Sequence, residues 1–168
     1  YRDQNHIRML DKIVEKLDIG LDLALISDCG TPLISDPGYK LVRYLRENKY
    51  EVVSIPGPSA LTSALSISGL PTDRFTFLGF LPKSDSKRVD ILKAFDGIVT
   101  TLVLYESPKR ILKLLNQLGE VFGDVNVFLA KDISKMREYS YFGSISEIVK
   151  ELGDEEIFGE FVCIVNTG

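Results

Sequence analysis

Residues 27–38, Ser-Asp-Cys-Gly-Thr-Pro-Leu-Ile-Ser-Asp-Pro-Gly, constrain the fold of this chain most strongly. They follow a short apolar run, 23–26, of the kind that forms a strand buried on both faces of a parallel sheet. They precede a helical pattern in which Asp36 can cap the helix and Pro37 can take its first position. A β-branched run at 51–55 completes a predicted strand–helix–strand unit. Because ligands bind beyond the carboxyl ends of strands in open parallel sheets, this loop is the first candidate binding site.

The side chains of this loop suit a polar small molecule better than a covalent reaction. Gly30 allows close approach to the backbone, and Thr31 and Ser35 offer hydroxyl groups. Asp28 can accept hydrogen bonds from an amine or from a pair of hydroxyls. The same residue types also build turns and helix caps, so the loop alone names no ligand.

The composition is that of a globular protein. With 168 residues, of which 45% are hydrophobic, the chain can bury a sizeable core. No apolar stretch approaches the roughly 20 residues that a membrane helix needs. The N-terminus lacks the apolar core of a signal peptide, so we expect a cytoplasmic protein. The net charge of −4 argues against indiscriminate nucleic-acid binding but leaves room for a local basic patch.

Several reaction classes lack the residues that they need. His6 is the only histidine, so neither a Ser-His-Asp nor a Cys-His arrangement is expected. Cys29 and Cys163 show no metal-ligand spacing, and we expect no metal site and no disulfide. The chain also lacks a triphosphate-binding loop and a dinucleotide fingerprint. The remaining classes are a transferase or a binding module, either of which acts by positioning its ligand.

Helical and strand patterns alternate along the chain and predict an α/β fold. A helix is predicted at 7–17. The rigid stretch Pro-Gly-Pro-Ser-Ala marks a junction between the remainder of an N-terminal α/β domain, 1–56, and a C-terminal α/β domain, 57–168. In the second domain a helix rich in small residues is followed by a mixed sheet, with predicted strands at 74–80, 99–105, 125–130, 138–142 and 159–165. Further helices are predicted at 89–95, 108–122 and 145–152, and Ser107 and Ser144 are the predicted caps of the last two.

Two stretches of the second domain carry candidate functional side chains. One polar loop brings Lys83, Lys87 and Arg88 together in a patch suited to phosphates, although a solvated surface of mixed charge gives the same pattern. Tyr105 and Glu106 end a predicted strand, where a ligand could reach them. A buried carboxylate at that position would require a specific partner.

Five short motifs occur in order along essentially the whole chain. They are Ser-Asp-Cys-Gly-Thr-Pro-Leu-Ile-Ser-Asp-Pro-Gly at 27–38, Ile-Pro-Gly-Pro-Ser-Ala at 55–60, Gly-Leu-Pro-Thr-Asp-Arg-Phe at 69–75, Gly-Phe-Leu-Pro at 79–82 and Tyr-Glu-Ser-Pro-Lys-Arg at 105–110. Each motif is weak alone, but the combination is specific. The chain resembles the ribosomal RNA small subunit methyltransferase I family, which belongs to the tetrapyrrole methylase superfamily.

The resemblance implies a two-domain tetrapyrrole-methylase-like α/β fold with S-adenosylmethionine in the cleft between the domains. It implies methyl transfer to the ribose 2′-oxygen of a cytidine in the 16S ribosomal RNA of the small ribosomal subunit, and it implies a homodimer. Family members begin with a strand and a glycine-containing loop that nothing in this chain matches. The resemblance therefore implies an incomplete first domain, and a chain without that wall of the cleft would be inactive.

The resemblance also assigns roles by position. The implied cofactor-binding residues are Gly30, Thr31, Pro32, Ile34, Ser59 and Ala60, and then Tyr105, Glu106, Ala130, Lys131, Gly159 and Glu160. A ribose hydroxyl is a weak acid, so a base or an electrostatic stabiliser should assist its reaction, and the candidates are Glu106, Lys131 and Asp28. The implied contacts to RNA phosphates are those of Lys83, Lys87 and Arg88, which would give affinity without sequence information.

Two alternative functions remain open. Within the superfamily, the chain could methylate a tetrapyrrole carbon or a modified protein side chain, but the basic loop and the Tyr-Glu-Ser-Pro stretch favour RNA. In a different class, it could be a non-catalytic module that binds a nucleotide-like ligand. Absence of cofactor-dependent RNA methylation would favour that module.

Overall fold

The described chain divides into two compact units, with the division between Ser59 and Ala60. The computed structural model describes residues 6–153 and 157–168, and for residues 6 and 7 it describes the backbone alone. Within these residues, the first unit contains two helices, and the second contains four helices and five strands. A domain boundary after residue 56 stays a prediction.

The first unit is built on helices α1, His6–Asp18, and α2, Tyr39–Glu47, which pack against each other. Helix α1 confirms the helix predicted at 7–17. The hydroxyl of Tyr50 donates a hydrogen bond to Asp18 Oδ1 at 2.5 Å, so the segment after α2 is tied to the end of α1. The two helices and this link hold the first unit together.

The strands predicted at 23–26 and 51–55 are wrong. Both segments lack regular secondary structure, and most of their apolar side chains are exposed, with Ile26 85% and Ile55 82% accessible. A strand buried on both faces needs a hydrogen-bonded neighbour at its edges. The described residues of the first unit supply no such neighbour, so the apolar pattern alone does not produce strands.

The second unit is organised around a five-stranded mixed sheet. Its strands, in chain order, are β1, Phe75–Phe80; β2, Thr101–Glu106; β3, Asn126–Lys131; β4, Tyr139–Ser144; and β5, Phe161–Asn166. The spatial order is β1-β2-β5-β3-β4, in which β1 and β2 are parallel and the other neighbouring pairs are antiparallel. The five strands predicted for this half and the mixed sheet are confirmed, with bounds shifted by one or two residues.

Four helices cover the two faces of this sheet. They are α3, Ala60–Ile67; α4, Asp85–Lys93; α5, Ile111–Phe122; and α6, Ile145–Gly153. Successive residues of a strand point to opposite faces, so Leu102 and Leu104 pack with the cluster that includes residues of α4, α5 and α6. Val103 packs on the opposite face with Ala64 and Leu65 of α3. The central strands are therefore buried on both sides.

Two predicted helix caps are wrong. Helix α2 begins after Gly38 instead of at Pro37, and its first turn has no side-chain cap. Gly38 has φ +137°, and a Cβ there would lie 2.9 Å from Leu33 Cδ1, so only glycine fits. Ser107 does not cap α5, because its hydroxyl donates to the neighbouring Glu106 carboxylate at 3.2 Å.

The predicted cap of α6 is confirmed. Ser144 Oγ accepts a hydrogen bond from the backbone N–H of Glu147 at 3.3 Å, and Glu147 Oε2 accepts one from the backbone N–H of Ser144 at 2.9 Å. This reciprocal pair is a capping box, which satisfies two backbone donors that the helix itself leaves free. It fixes the point at which β4 ends and α6 begins.

We expect Ser144→Ala to lower the free energy of unfolding by about 1 kcal/mol, because one side of the capping box is lost. Chemical denaturation followed by circular dichroism measures this change. Ser63→Ala is the matched control, since Ser63 lies exposed on α3 and its side chain makes no hydrogen bond to a described residue. Equal effects of the two substitutions would contradict a stabilising role for the capping box.

Candidate functional site

Three strand ends meet at one edge of the mixed sheet. Strand β5 lies between β2 and β3 and is antiparallel to both, so the carboxyl ends of β2 and β3 flank the amino end of β5. The register pairs Glu106 with Phe161 and Phe161 with Lys131. The structure thus brings the predicted site residues of the second unit together at this edge, namely Tyr105, Glu106, Ala130, Lys131, Gly159 and Glu160.

The carboxylate of Glu106 is buried and is bound through one of its two oxygens. Its side chain is 0% exposed, and Oε1 accepts hydrogen bonds from Arg110 Nε at 2.8 Å and from the backbone N–H of Ser107 at 2.7 Å. Arg110 Nη2 lies 2.7 Å from the same oxygen. Oε2 is equally buried and has no hydrogen-bond partner among the described residues. Arg110 compensates a carboxylate charge that would otherwise be costly to bury.

The negative charge of Glu106 affects the pKa of a buried thiol in the core. Burial raises the pKa of the Cys163 thiol to about 12, and the nearby negative charge of Glu106 adds to the rise. The alternation of side chains puts Glu106 on the same face of β2 as Leu104 and Leu102. The carboxylate therefore lies on the face of the sheet that α4, α5 and α6 cover, and neither of its oxygens is open to solvent.

Lys131 is the buried cation of this edge. The residue is 8% exposed, and its Nζ lies 3.6 Å from the centre of the Phe158 ring. The guanidinium carbon of Arg137 lies 5.4 Å from the same ring. The ion pairs of the described residues do not include Lys131, and the contact that the structure shows for its ammonium is the cation–π interaction with the Phe158 ring.

The turn that follows β3 is strained and is hydrogen-bonded to the segment before β5. Asp132 and Ser134 have positive φ angles of +52° and +62°, which non-glycine residues adopt infrequently. Asp132 accepts the backbone N–H of Glu160 through Oδ1 at 3.1 Å and donates its own N–H to the Glu160 carbonyl at 2.9 Å. A Cβ on Gly159 would lie 2.6 Å from Asp132 Oδ2. Because Gly159 has no side chain, the Asp132 carboxylate can pack closely against the backbone there.

The loop 27–38 is fixed to the proline-rich segment of the same unit. Thr31 Oγ1 donates a hydrogen bond to the carbonyl of Pro58 at 2.8 Å, and Ser27 Oγ donates to the Gly30 carbonyl at 2.7 Å. Leu33 and Ser35 hold positive φ angles of +72° and +60°. Left-handed backbone at non-glycine residues stores strain and is often found at binding sites.

The remaining predicted residues of the first unit are at least partly accessible. Asp28, Gly30 and Ile34 are exposed, whereas Pro32 and Ser59 are partly buried. Ala60 opens helix α3 and belongs to the second unit.

The predicted basic patch is wrong in one residue. Lys83 and Lys87 are exposed, as a phosphate contact requires. Arg88 is 0% exposed, because α4 begins at Asp85 and turns this side chain toward the core. The polar loop predicted through residue 88 is shorter than expected, and Arg88 cannot take part in a surface patch in this conformation.

Sequence reasoning missed three residues that shape the site. Arg110 carries the counter-charge of Glu106, and its signal was the spacing of four residues from Glu106. Asp132 directly follows the predicted pair Ala130 and Lys131, so periodicity locates this strand end. The hydrogen bond between the Asp132 carboxylate and the backbone of Glu160 has no signal in the sequence. The ring contact of Phe158 joins segments far apart in the chain and had no sequence signal.

Residues 6–153 and 157–168 contain no group of three or more His, Cys, Asp or Glu side chains arranged to hold a metal ion. Over the same residues, no helix combines the length and the apolar character that spanning a bilayer requires.

We expect Arg110→Met to lower the free energy of unfolding by about 3 kcal/mol or more, because Glu106 would keep a buried charge without its cation. Lys113→Met is the matched control: the 2.6 Å pair of Lys113 with Asp85 is about half exposed on both sides, and its loss should cost less than about 1 kcal/mol. Urea denaturation measures both. A loss below about 1 kcal/mol for Arg110→Met would contradict the buried-pair description.

We expect Gly159→Ala to destabilise the protein by about 1 kcal/mol more than Gly97→Ala. Both glycines have positive φ angles, +99° and +76°, so both substitutions strain the backbone. Only at Gly159 would the new Cβ also meet a carboxylate, since nothing lies within 4 Å at Gly97. Thermal unfolding of the two variants checks this difference, and equal shifts would mean that Asp132 moves aside freely.

Comparison with known families identifies the kind of protein to which this chain is similar. A family model for Tetrapyrrole (Corrin/Porphyrin) Methylases matches residues 2–149. Three proteins named ribosomal RNA small subunit methyltransferase I are similar over nearly the whole chain. They come from Thermotoga maritima, 36% identical over 99% of this chain; Xylella fastidiosa, 42% over 96%; and Escherichia coli O157:H7, 42% over 97%. The chain spans 74%, 60% and 58% of their respective lengths.

Solved structures of the same superfamily have a similar fold. The methyltransferase CobJ superposes with a TM-score of 0.68 at 16% identity, over 95% of this chain and 70% of its own. A uroporphyrin-III C-methyltransferase from Thermus thermophilus, solved with S-adenyl homocysteine, superposes with a TM-score of 0.63 at 17% identity, over 98% of this chain and 74% of its own. These likenesses confirm the tetrapyrrole-methylase-like α/β fold. With the family model and the closely matching relatives, they establish that the chain belongs to the ribosomal RNA small subunit methyltransferase I family of the tetrapyrrole methylases.

Proposed function

We propose that the protein to which this chain belongs transfers a methyl group from S-adenosylmethionine to the 2′-hydroxyl of a cytidine in 16S ribosomal RNA. The observation that carries the proposal is the 36–42% identity to proteins named ribosomal RNA small subunit methyltransferase I over nearly the whole chain. The solved relative with S-adenyl homocysteine supports the cofactor. The cytidine and its 2′-oxygen rest on the family resemblance of the five sequence motifs.

The residues present fit such a cofactor on two observations. Lys131 offers a nearly buried ammonium with no carboxylate partner among the described residues, which suits a ligand carboxylate. Gly30 leaves the backbone of the loop open, since the nearest atom to a Cβ built there is the Pro58 carbonyl oxygen at 3.8 Å. The proposed cofactor-binding residues are Gly30, Thr31, Pro32, Ile34, Ser59, Ala60, Tyr105, Glu106, Ala130, Lys131, Gly159 and Glu160.

The bound sulfonium would supply the electrophilic methyl group, and the chain's residues would supply alignment. Methyl transfer is an in-line displacement, so fixed geometry of the two reactants contributes much of the rate. Arg110 and the backbone of Ser107 hold Glu106 rigidly, which supports a role for Glu106 in fixing the end of β2. Of the three proposed catalytic groups, Asp28, an exposed carboxylate, would accept the hydroxyl proton. Lys131 is the alternative: it would stabilise negative charge on the reacting oxygen if it does not hold the ligand carboxylate.

Lys83 and Lys87 are the proposed contacts to RNA phosphates. Both side chains are exposed next to the carboxyl end of β1. Phosphate contacts of this kind would let a protein of net charge −4 bind the small ribosomal subunit through one face. A homodimer, a cytoplasmic location and a domain boundary after residue 56 remain part of the proposal and rest on the resemblance and on the sequence.

Incubation of the purified chain with labelled S-adenosylmethionine and unmodified small ribosomal subunits tests this function. The RNA is digested to nucleosides, which are identified by mass spectrometry, with the Escherichia coli O157:H7 relative as the positive control. We expect label in 2′-O-methylcytidine from a parallel incubation of the full-length protein to which this chain belongs, and none from the chain itself, which the resemblance implies is inactive. Label in another nucleoside would contradict the proposed target, and label in a tetrapyrrole offered in parallel would favour the alternative substrate class.

Calorimetric titration with S-adenosylhomocysteine on the same sample separates binding from chemistry. Binding without transfer supports the cofactor and assigns the missing activity to parts of the relatives that this chain does not span. Failure of the chain and of the relative to bind would reject the cofactor and favour the ligand-binding module.

We expect the double variant Lys83→Gln, Lys87→Gln to weaken binding to the small ribosomal subunit in a salt-dependent manner. Each lost phosphate contact should reduce the slope of log affinity against log salt by roughly 0.7 to 0.9. Fluorescence anisotropy at several salt concentrations measures the slope. Lys150→Gln, an exposed lysine of α6, is the control, and an equal effect of both would mean that the binding is unspecific charge attraction.

A further inference from the structure

Four buried polar side-chain atoms have no hydrogen-bond partner among the described residues. Two are donors, Nε and Nη2 of Arg88, and two are acceptors, Oε2 of Glu106 and Oε1 of Gln117. Arg88 is 0% exposed, Glu106 1% and Gln117 6%. Unpaired buried polar groups are rare in folded proteins, and an unpaired guanidinium is among the most costly. The two unpaired nitrogen donors are therefore equal in number to the two unpaired oxygen acceptors.

The topology places these three side chains under the same part of the sheet. Arg88 lies one helical turn before Leu92, whose side chain packs in the cluster that also holds Leu104. Glu106 lies on the Leu104 face of β2. Phe80 pairs with Tyr105, so the connection from β1 into α4 starts level with Glu106. The chain therefore enters the first turn of α4 from the end of the sheet at which Glu106 lies.

Gln117 reaches this region from α5. The ion pair between Asp85 and Lys113 fixes the register in which α4 packs against α5. One turn further along each helix are Arg88 and Gln117, so the two side chains lie at the same level of the helix pair. Asp85 accepts a hydrogen bond from Lys113 Nζ at 2.6 Å, and this bond, together with the nearby charge of Arg88, lowers the pKa of the Asp85 carboxyl. No hydrogen bond joins Arg88 to Asp85 among the described residues, so Nε and Nη2 of Arg88 still lack one.

We propose that Arg88 is a positioning residue, whose guanidinium is linked to Glu106 Oε2 and to Gln117 Oε1 through buried water molecules. Glu106 would then be held on both oxygens, by Arg110 through Oε1 and by Arg88 through Oε2. A carboxylate held on both sides has no freedom to rotate, and it fixes Tyr105 and the end of β2 beside Lys131. Only this last consequence, for ligand binding, rests on the proposed function.

A double-mutant cycle in the unfolding equilibrium tests the link itself. We expect Arg88→Met to raise the unfolding equilibrium constant about 100-fold in the unsubstituted protein and less than about 10-fold in the Glu106→Gln background. The matched control pairs Lys150→Met with Glu120→Gln, two exposed helical residues, and should show no coupling. Equal effects of Arg88→Met in both backgrounds would overturn the link.

The Nε–H resonance of Arg88 in ¹H–¹⁵N spectra gives an independent readout that requires no ligand. We expect this resonance to shift on Glu106→Gln and on Gln117→Leu, and to stay unchanged on Glu120→Gln. An unchanged resonance in both of the first two variants would overturn the link even if the variants were destabilised.

Calorimetry with S-adenosylhomocysteine separates positioning from plain stabilisation. Under conditions in which each variant is folded, we expect Arg88→Met to weaken binding about tenfold and Arg88→Lys to restore part of the loss. Coupling in the unfolding cycle with unchanged affinity in Arg88→Met would overturn the positioning role and leave a purely structural link. If neither the unsubstituted chain nor the Escherichia coli O157:H7 relative binds the probe, the cofactor proposal fails with the positioning role, while the cycle still decides whether Arg88 is linked to Glu106. If the relative alone binds, the affinity comparison is made in the full-length protein to which this chain belongs.

Discussion

The position of β5 between β2 and β3 determines which residues of the second unit lie together at the candidate site. Because β5 is antiparallel to both neighbours, β2 and β3 run in the same direction and their carboxyl ends lie at one edge. The pairing of Glu106 with Phe161 and of Phe161 with Lys131 then aligns residues from three separate segments of the sequence. A shift of one residue in either ladder would turn the Glu106 or Lys131 side chain to the other face of the sheet. The ladder hydrogen bonds thus set the site before any side chain contributes.

The same edge carries the most demanding electrostatics of the described chain. A carboxylate with no exposed surface and an ammonium with little are both held there, the first by Arg110 and the second over the Phe158 ring. Burial of such groups is costly, and a sequence retains them where fixed geometry has a use. The pKa of about 12 for Cys163 reflects the same low-polarity interior. This thiol stays protonated at neutral pH and is a packing group rather than a nucleophile.

The sequence predicted the second unit well and the first unit poorly, for a physical reason. Strands such as β3 have partners within the same unit, so their apolar pattern and their pairing agree. The runs at 23–26 and 51–55 have the same pattern but no partner among the described residues, and pattern without pairing does not make a strand.

The candidate site residues likewise differ in how well the sequence predicted their positions. The positions of Glu106 and Lys131 at strand ends were predicted correctly because periodicity locates strand ends, while their roles rest on the resemblance and stay predictions. The Ser144 cap was predicted because a cap is local in sequence. Arg88 was misplaced, since a shift of four residues in the start of α4 changes a surface cation into a buried one. Phe158 was missed because no local pattern indicates a contact with Lys131, 27 positions earlier in the numbering.

The central place of β5 also affects how the second unit can fold. It is the last of the five strands along the chain, and until it is inserted the sheet exists only as two separate pairs, β1 with β2 and β3 with β4. The β3–β4 pair and α6 are neighbours in sequence and can form by local contacts. Joining the halves requires a strand whose partner β2 lies about sixty residues away, and closing such a loop is entropically slow. Until β5 pairs with both β2 and β3, each half of the sheet has an unpaired strand edge, and unpaired edges are prone to misassociation.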